Sequence, residues 1–356
     1  MLSESSITFL KRLLDTPGPS GFESAPSRIW RDEAKSFAAE VRSDVAGNSI
    51  AIVNPAGAPT IMLAGHIDEI GVIVIHIDDD GFVHIQGIGG WDAQVLVGQR
   101  IRFMGSGGDV YGVVGKKPVH LTKEEDKDKA SKLTDLWVDI GAANLKEAEE
   151  RLSVGDAGVI DARAMDFPNG RLVSRSIDDR IGAFTALEAL RRYSETPSAA
   201  RVVATATTQE EIGWHGGGAL VCATCVDAQM AIVIDVTFAT DHPGMEKKEH
   251  GDHRLGGGPV LTRGSVISPV VFRLLLETAQ AHGIPFSINA AARDTGTDAD
   301  AIHIARQGVA TGLVSIPNRY MHSPNEMVSL EDLDRAATLI AETCRRVSGE
   351  TDFTAR

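Results

Sequence analysis

Cysteine is nearly missing, with three in 356 residues. That is too few for a disulfide framework and sets the expectation of a reducing, cytoplasmic location. Aromatic residues are scarce at 5%, so the core has to be aliphatic. No apolar run approaches the roughly 18 residues of a membrane span, so no membrane partner is expected. The stretch Met1–Gly18 lacks a basic start followed by a long apolar segment, and no secretory signal is expected from it. Basic charge is in deficit: 35 Lys+Arg against 49 Asp+Glu leave a net charge of −14. That works against nucleic acid as a partner, which needs a basic footprint. Disorder is excluded by 43% hydrophobic and 24% charged residues, ordinary globular usage. What is plentiful is glycine, at 36 residues, and the length suggests about two domains at roughly 150 residues each.

The pattern along the chain divides it. Ile7, Leu10, Leu13 and Leu14 have helical spacing, which predicts a helix over Ser5–Leu14 that Pro17–Gly21 ends. A second helix is predicted over Ser24–Ala39, then strands at Ser49–Val53 and Thr60–Leu63. From about Ile70 to Val159 the runs become short and β-rich, separated by frequent glycines, as in a small barrel or sandwich. The charge-dense Lys123–Lys132 within it reads as a solvated loop. After Ser176 helices (Arg180–Arg192, Val270–His282, Ala299–Arg306, Leu330–Val347) alternate with strands (Arg201–Thr208, Ala231–Ile234, Phe286–Ile288, Thr311–Ile316). Such alternation implies a mostly parallel sheet covered on both faces. The fold class is therefore α/β: a three-layer core of residues 1–69 and 160–356, with a barrel-like β domain inserted at 70–159.

Four apolar strands each end in polar residues: Gly65-His66-Ile67-Asp68-Glu69, Gln209-Glu210-Glu211, Asp235, and Tyr320-Met321-His322-Ser323-Pro324. Ligands of open α/β sheets bind beyond the carboxyl ends of the strands, so these segments converge on one edge. Ser176-Ile177-Asp178-Asp179-Arg180, just before a helix, points the same way. The donors are imidazoles and carboxylates without cysteine, a set suited to Zn, Co or Mn. Two divalent ions on His66, Asp178, Glu211, Asp235 and His322 would bring four positive charges to three carboxylates, and one hydroxide would balance the remainder. Each residue alone has a plainer reading. His66 could be a satisfied core histidine, Asp178 and Asp179 a helix cap and first-turn acid, and Glu210 and Glu211 solvated acids. The conjunction of five segments favours the metal reading. Other signals are weaker. Cys222 and Cys225 have C-x-x-C spacing without a second pair. Gly213–Gly218 is glycine-rich but lacks the Lys-Ser/Thr end of a phosphate loop. Ser174 and Ser176 form no nucleophile elbow.

With Asp178-Asp179-Arg180-Ile181-Gly182, Asp235-Val236-Thr237 and Gly296-Thr297-Asp298-Ala299 added to the His66, Glu210 and His322 segments, the chain resembles the TET-type dinuclear metallo-aminopeptidases. That group includes glutamyl aminopeptidases and proteins labelled cellulase M or endoglucanase. The resemblance implies that His66 and Asp235 each bind one metal terminally, that Glu211 and His322 hold the other, and that Asp178 bridges them across a cis Asp178–Asp179 peptide. It implies that Glu210 is the general base, acting on a bridging water, and that Asp68 orients His66. It further implies two divalent ions per subunit, zinc or cobalt, peptide substrates, and a cytoplasmic homo-oligomer, in many members a dodecamer. A metal-dependent deacylase or amidase on the same scaffold would use the same ligands, and a non-catalytic assembly protein is the non-enzyme alternative. A glycosidase is disfavoured, because its paired carboxylates are here accounted for by metal. Arg293 and Arg319 are cations that could favour an acidic N-terminal side chain or form structural salt bridges.

Overall fold

Runs rich in Val, Ile and Ala make the middle of the sheet, because strands buried on both faces favour such apolarity. Thr60–His66, Arg201–Thr207 and Met230–Phe238 are buried almost throughout. The structure is a computed structural model that describes residues 1–124, 129–213 and 217–355. Part of the charged run, 125–128, and the tip of the glycine-rich loop, 214–216, lie outside the described residues.

The eight-stranded sheet runs in the order Glu40–Ser43, Ser49–Val53, Arg201–Thr207, Thr60–His66, Met230–Phe238, Ala310–Asn318, Val260–Gly264, Ser287–Ala291. The four central strands are mutually parallel. An antiparallel strand adjoins them on each side. Helix Ile177–Glu195 packs on the central strands with Leu330–Arg346 against it, and Gly217–Val226 packs on Arg201–Thr207 and Thr60–His66. Full burial of the central strands requires cover on both faces, the expected three layers.

A closed six-stranded barrel follows Thr60–His66, built from Gly71–Ile77, Val83–Ile88, Leu136–Asp139, Gly108–Lys116, Arg100–Gly105 and Ala157–Ile160. It has its own apolar cluster around Val72, Val83, Ile101, Phe103 and Val138, separate from the sheet's core. A three-stranded sheet of Met165–Phe167, Arg171–Ser174 and Glu326–Ser329 then leads the chain back. Among the described residues, no helix is long and apolar enough to cross a membrane.

Local departures from the sequence reading have physical causes. The second helix stops at Ala34, and Glu40–Ser43, polar and mostly exposed, pairs at the sheet edge where apolar alternation is not needed. The helix expected over Ala299–Arg306 spans Ala299–Ile302. The His303 imidazole Nδ1 sits 3.0 Å from the Ala299 carbonyl, closing the turn, and Arg306 has φ of 55°.

Candidate metal centre

Close backbone approach builds the site. Gly65 lies where a Cβ would come within 2.3 Å of the Gly182 backbone, and a Cβ on Gly182 would come within 2.1 Å of an Asp179 oxygen. Only glycine at both positions lets strand Thr60–His66 touch the start of helix Ile177–Glu195. That contact seats His66, the last residue of its strand, against Asp178 and Asp179. The Asp178–Asp179 peptide is cis, and both residues have non-helical backbones at the head of the helix.

The two imidazoles face one carboxylate from two sides. His66 Nε2 is 3.2 Å from Asp178 Oδ1, and His322 Nε2 is 3.4 Å from Asp178 Oδ2. His322 Nε2 is also 3.4 Å from Glu211 Oε2, and Glu210 Oε2 lies 3.7 Å from His66 Nε2. His66, Asp178 and Glu211 offer atoms within 4.8 Å of one another, as do His66, Asp179 and Asp235. Asp235, in the middle of Met230–Phe238, reaches the cluster through His66 and Asp179. His66, Asp178, Glu210, Glu211, Asp235 and His322 thus lie together.

The far ring nitrogens show which atoms are free. His322 Nδ1 is 3.0 Å from the Gly90 carbonyl of a barrel loop. A carbonyl only accepts, so Nδ1 carries a hydrogen and Nε2 is the nitrogen turned toward the carboxylates, where a cation could take it as a ligand. His66 Nδ1 lies 3.4 Å from Asp68 Oδ1, within ion-pair reach but without a hydrogen bond. Asp68 is fully buried and accepts from Ser20 Oγ at 2.6 Å and from the Glu210 and Glu211 backbone N–H groups at 3.2 and 3.1 Å. One carboxylate thereby faces a histidine and holds the loop that carries both glutamates.

Electrostatics agree with a cation site. Burial pushes the Asp235 and Asp179 carboxyls well up, each reinforced by neighbouring aspartates. Burial, with the charges of Asp235, Asp298 and Glu211, raises Glu210 to about 10. Glu211 is raised by burial and by Asp178. Asp178 goes the other way: His322 and His66 outweigh its burial and hold it low. Hydrogen bonds to Asp178 and Glu211 lift His322. So many carboxylates crowded around two imidazoles are what divalent cations neutralise. Glu211 Oε1 is buried with no hydrogen-bond partner, an orphan acceptor that a cation would satisfy. The nitrogen and oxygen donors therefore fit divalent metal ions.

Sequence reasoning missed several supporting residues. Asp179 accepts from the His66 and Gly182 backbone N–H groups at 3.2 and 3.0 Å, holding strand to helix. Glu69 is buried and pairs with Arg180 at 2.8 Å and with Arg175. Glu326 accepts from the backbones of Asp178 and His322, and burial together with the charge of Asp178 raises its carboxyl. Arg319 forms an ion pair with Asp241 at 2.9 Å, the structural role, whereas Arg293 is exposed at the edge of a cavity of about 400 Å³ beside Val236 and Thr237. Cys222 is buried on helix Gly217–Val226, where burial pushes its thiol far up, and Cys225 is exposed. The pair sits one turn apart, and the buried Cys222 thiol does not support a redox role.

A cavity of about 690 Å³ opens beside Glu210 and Glu211, bordered by Leu220, Thr297, Asp298 and Asp300. Another, of about 860 Å³, lies around Asp227, Ser265, Arg306 and Phe353 and contains none of the site residues.

Comparison with known proteins adds three findings. Residues 47–339 match the family model of the M42 glutamyl aminopeptidases. The chain is 38% identical over 334 residues to the lysyl aminopeptidase of Pyrococcus furiosus, covering 93% of this chain and 94% of that protein. Among solved structures it is similar to a TET aminopeptidase from a marine sediment Thaumarchaeota archaeon, at 34% identity, TM-score 0.93 and 98% coverage of both chains. It is also similar to the Pyrococcus horikoshii TET1 peptidase, which can assemble into a tetrahedron or a large octahedral shell, at 29% identity and TM-score 0.83, over 96% of this chain and 100% of that one.

Proposed function

As the chain belongs to the M42 glutamyl aminopeptidase family and is an aminopeptidase, we propose that it removes N-terminal residues from peptides at a site holding two divalent cations. His66 and Asp235 would hold one cation, Glu211 and His322 the other, and Asp178 both. The observation that carries this reading is the shared carboxylate: each oxygen of Asp178 faces a different imidazole, at 3.2 and 3.4 Å. Zinc and cobalt suit such donors equally, and availability selects between them.

Bound cations would polarise the scissile carbonyl and acidify water. The remaining work falls to the chain. Glu210, not needed as a ligand, takes the proton of the attacking water and returns it to the leaving amine. Asp68 keeps His66 aimed and the Glu210 backbone in place. The cavity beside Glu210 gives the peptide room next to the reacting groups. We assign the chemistry to residues 1–69 and 160–356, and treat 70–159 as an inserted domain that reaches the site through Gly90.

A panel of chromogenic aminoacyl substrates and their N-acetylated counterparts tests the reaction class. Free-amine substrates are expected to turn over at least about a hundredfold faster, roughly 2.7 kcal/mol in barrier, with loss on chelation and recovery on adding Zn2+ or Co2+. Preference for the acetylated set would instead establish a deacylase.

The relatives' assemblies, one a dodecamer and one a tetrahedron or large octahedral shell, support a homo-oligomer such as a dodecamer. Light scattering on a sizing column should give a mass many times 37.9 kDa, and a monomer would refute this. The cysteines described are all free, which fits a reducing compartment, and we place the protein in the cytoplasm.

A further inference from the structure

Glu326 is a buried carboxylate, 1% exposed, that the proposed reaction does not use. It starts strand Glu326–Ser329, four residues after His322, and pairs in register with Ser174, four residues before Asp178. Its Oε2 accepts from the Asp178 backbone N–H at 3.1 Å, and its Oε1 from the His322 backbone N–H at 2.9 Å. Both N–H groups lie in chain that regular structure does not direct: Ser176 and His322 have φ of 57° and 59°. Among the described residues these two N–H groups are its hydrogen-bond partners. A buried carboxylate is costly unless its oxygens are bonded, and here each oxygen serves one segment of the cation site.

We propose that Glu326 is a positioning residue that sets the separation of Asp178 and His322 and thereby completes the cation site on the His322–Glu211 side, an inference that rests on the two-cation reading above. The His322 ring is held at its other end by the Gly90 carbonyl at 3.0 Å. With the backbone held by Glu326 and the ring by Gly90, Nε2 is left one direction, toward Asp178 and Glu211. A carboxylate suits the task because both partners are donors. Glutamine keeps one acceptor oxygen and turns its NH2 against the other N–H.

The test is titration of chelator-stripped full-length protein with Zn2+, read as stoichiometry and affinity beside kcat. Wild type is expected to take two ions per chain. E326Q is expected to keep one and bind the second about 10- to 100-fold more weakly, the range for lost outer-shell support. E326D, a carboxylate too short to reach both N–H groups, should show the same selective loss. In the H322A background E326Q should cost less than it does in wild type, because the imidazole it helps to aim is gone while its contact with Asp178 remains. Two ions bound with wild-type affinity by folded E326Q or E326D would overturn the proposal. So would additive losses in the double variant, or failure of both single variants to fold, which would make Glu326 a general scaffold residue. Fewer than two ions on the wild-type chain would overturn the two-cation reading itself and this inference with it.

Discussion

Glu210→Gln is expected to lower kcat by two to four orders of magnitude while the protein keeps both metal ions. The substitution preserves volume and removes only the ability to accept and return a proton, a contribution worth about 10²–10⁴ in rate, or roughly 2.7–5.5 kcal/mol. Geometry separates Glu210 from the ligands beside it. Its Oε2 stands 3.7 Å from His66 Nε2, whereas Glu211 Oε2 and both Asp178 oxygens lie within 3.4 Å of an imidazole nitrogen. The Glu210 backbone N–H is held by Asp68 at 3.2 Å, so the amide should occupy the place of the carboxylate. Metal content by elemental analysis, with kcat on a free-amine substrate, gives the result. Retained turnover would refute the role of base, and loss of metal would move Glu210 into the ligand set.

The division between what could and could not be read from the sequence has a physical basis. His66, Glu210, Glu211, Asp235 and His322 were legible because strong apolar runs make strands, and polar residues at strand ends are conspicuous. Asp178 had a competing reading as a helix cap. The structure resolves it: Ser176 holds the cap position in a left-handed conformation, and Asp178 leaves helical geometry altogether. Ser20, Asp179, Gly90 and Glu326 were not legible, although each holds a site residue in place. Ser20 acts on the side chain of Asp68, 48 positions away. The other three act wholly or partly through backbone groups, which every residue carries, so no side-chain pattern announces them. Glu326 and Asp178 are 148 positions apart, and only the pairing of two short strands brings them together. Those strands escaped notice for the same reason. Four-residue segments at the margin of a fold carry too little apolar periodicity to stand out, and these pair within a small three-stranded sheet of their own.

Asp178→Asn should cost the protein both metal ions, where His322→Ala should cost one. Asn keeps the shape of Asp but carries a single acceptor oxygen and no charge, and its NH2 would face one of the two imidazoles. Among the described residues Asp178 is the one within ion-pair reach of both His66 and His322, so its loss is shared by the two positions, whereas His322 faces the Glu211 side. The electrostatics amplify the difference. Among the proposed ligands Asp178 is the carboxyl held low, by His322 and His66, against its own burial, while burial and mutual repulsion raise Asp235 and Glu211, and Glu210 beside them. Removing that charge leaves the cations with carboxyls whose ionisation burial disfavours. Affinity for Zn2+ should fall at least about a hundredfold at both positions, beyond the 10- to 100-fold cost of disturbing outer-shell support, and turnover should fall to the level of chelated wild type. A variant that still holds one ion at wild-type affinity would show that His66 and Asp235 form a complete site without Asp178, and the shared carboxylate would have to be given up.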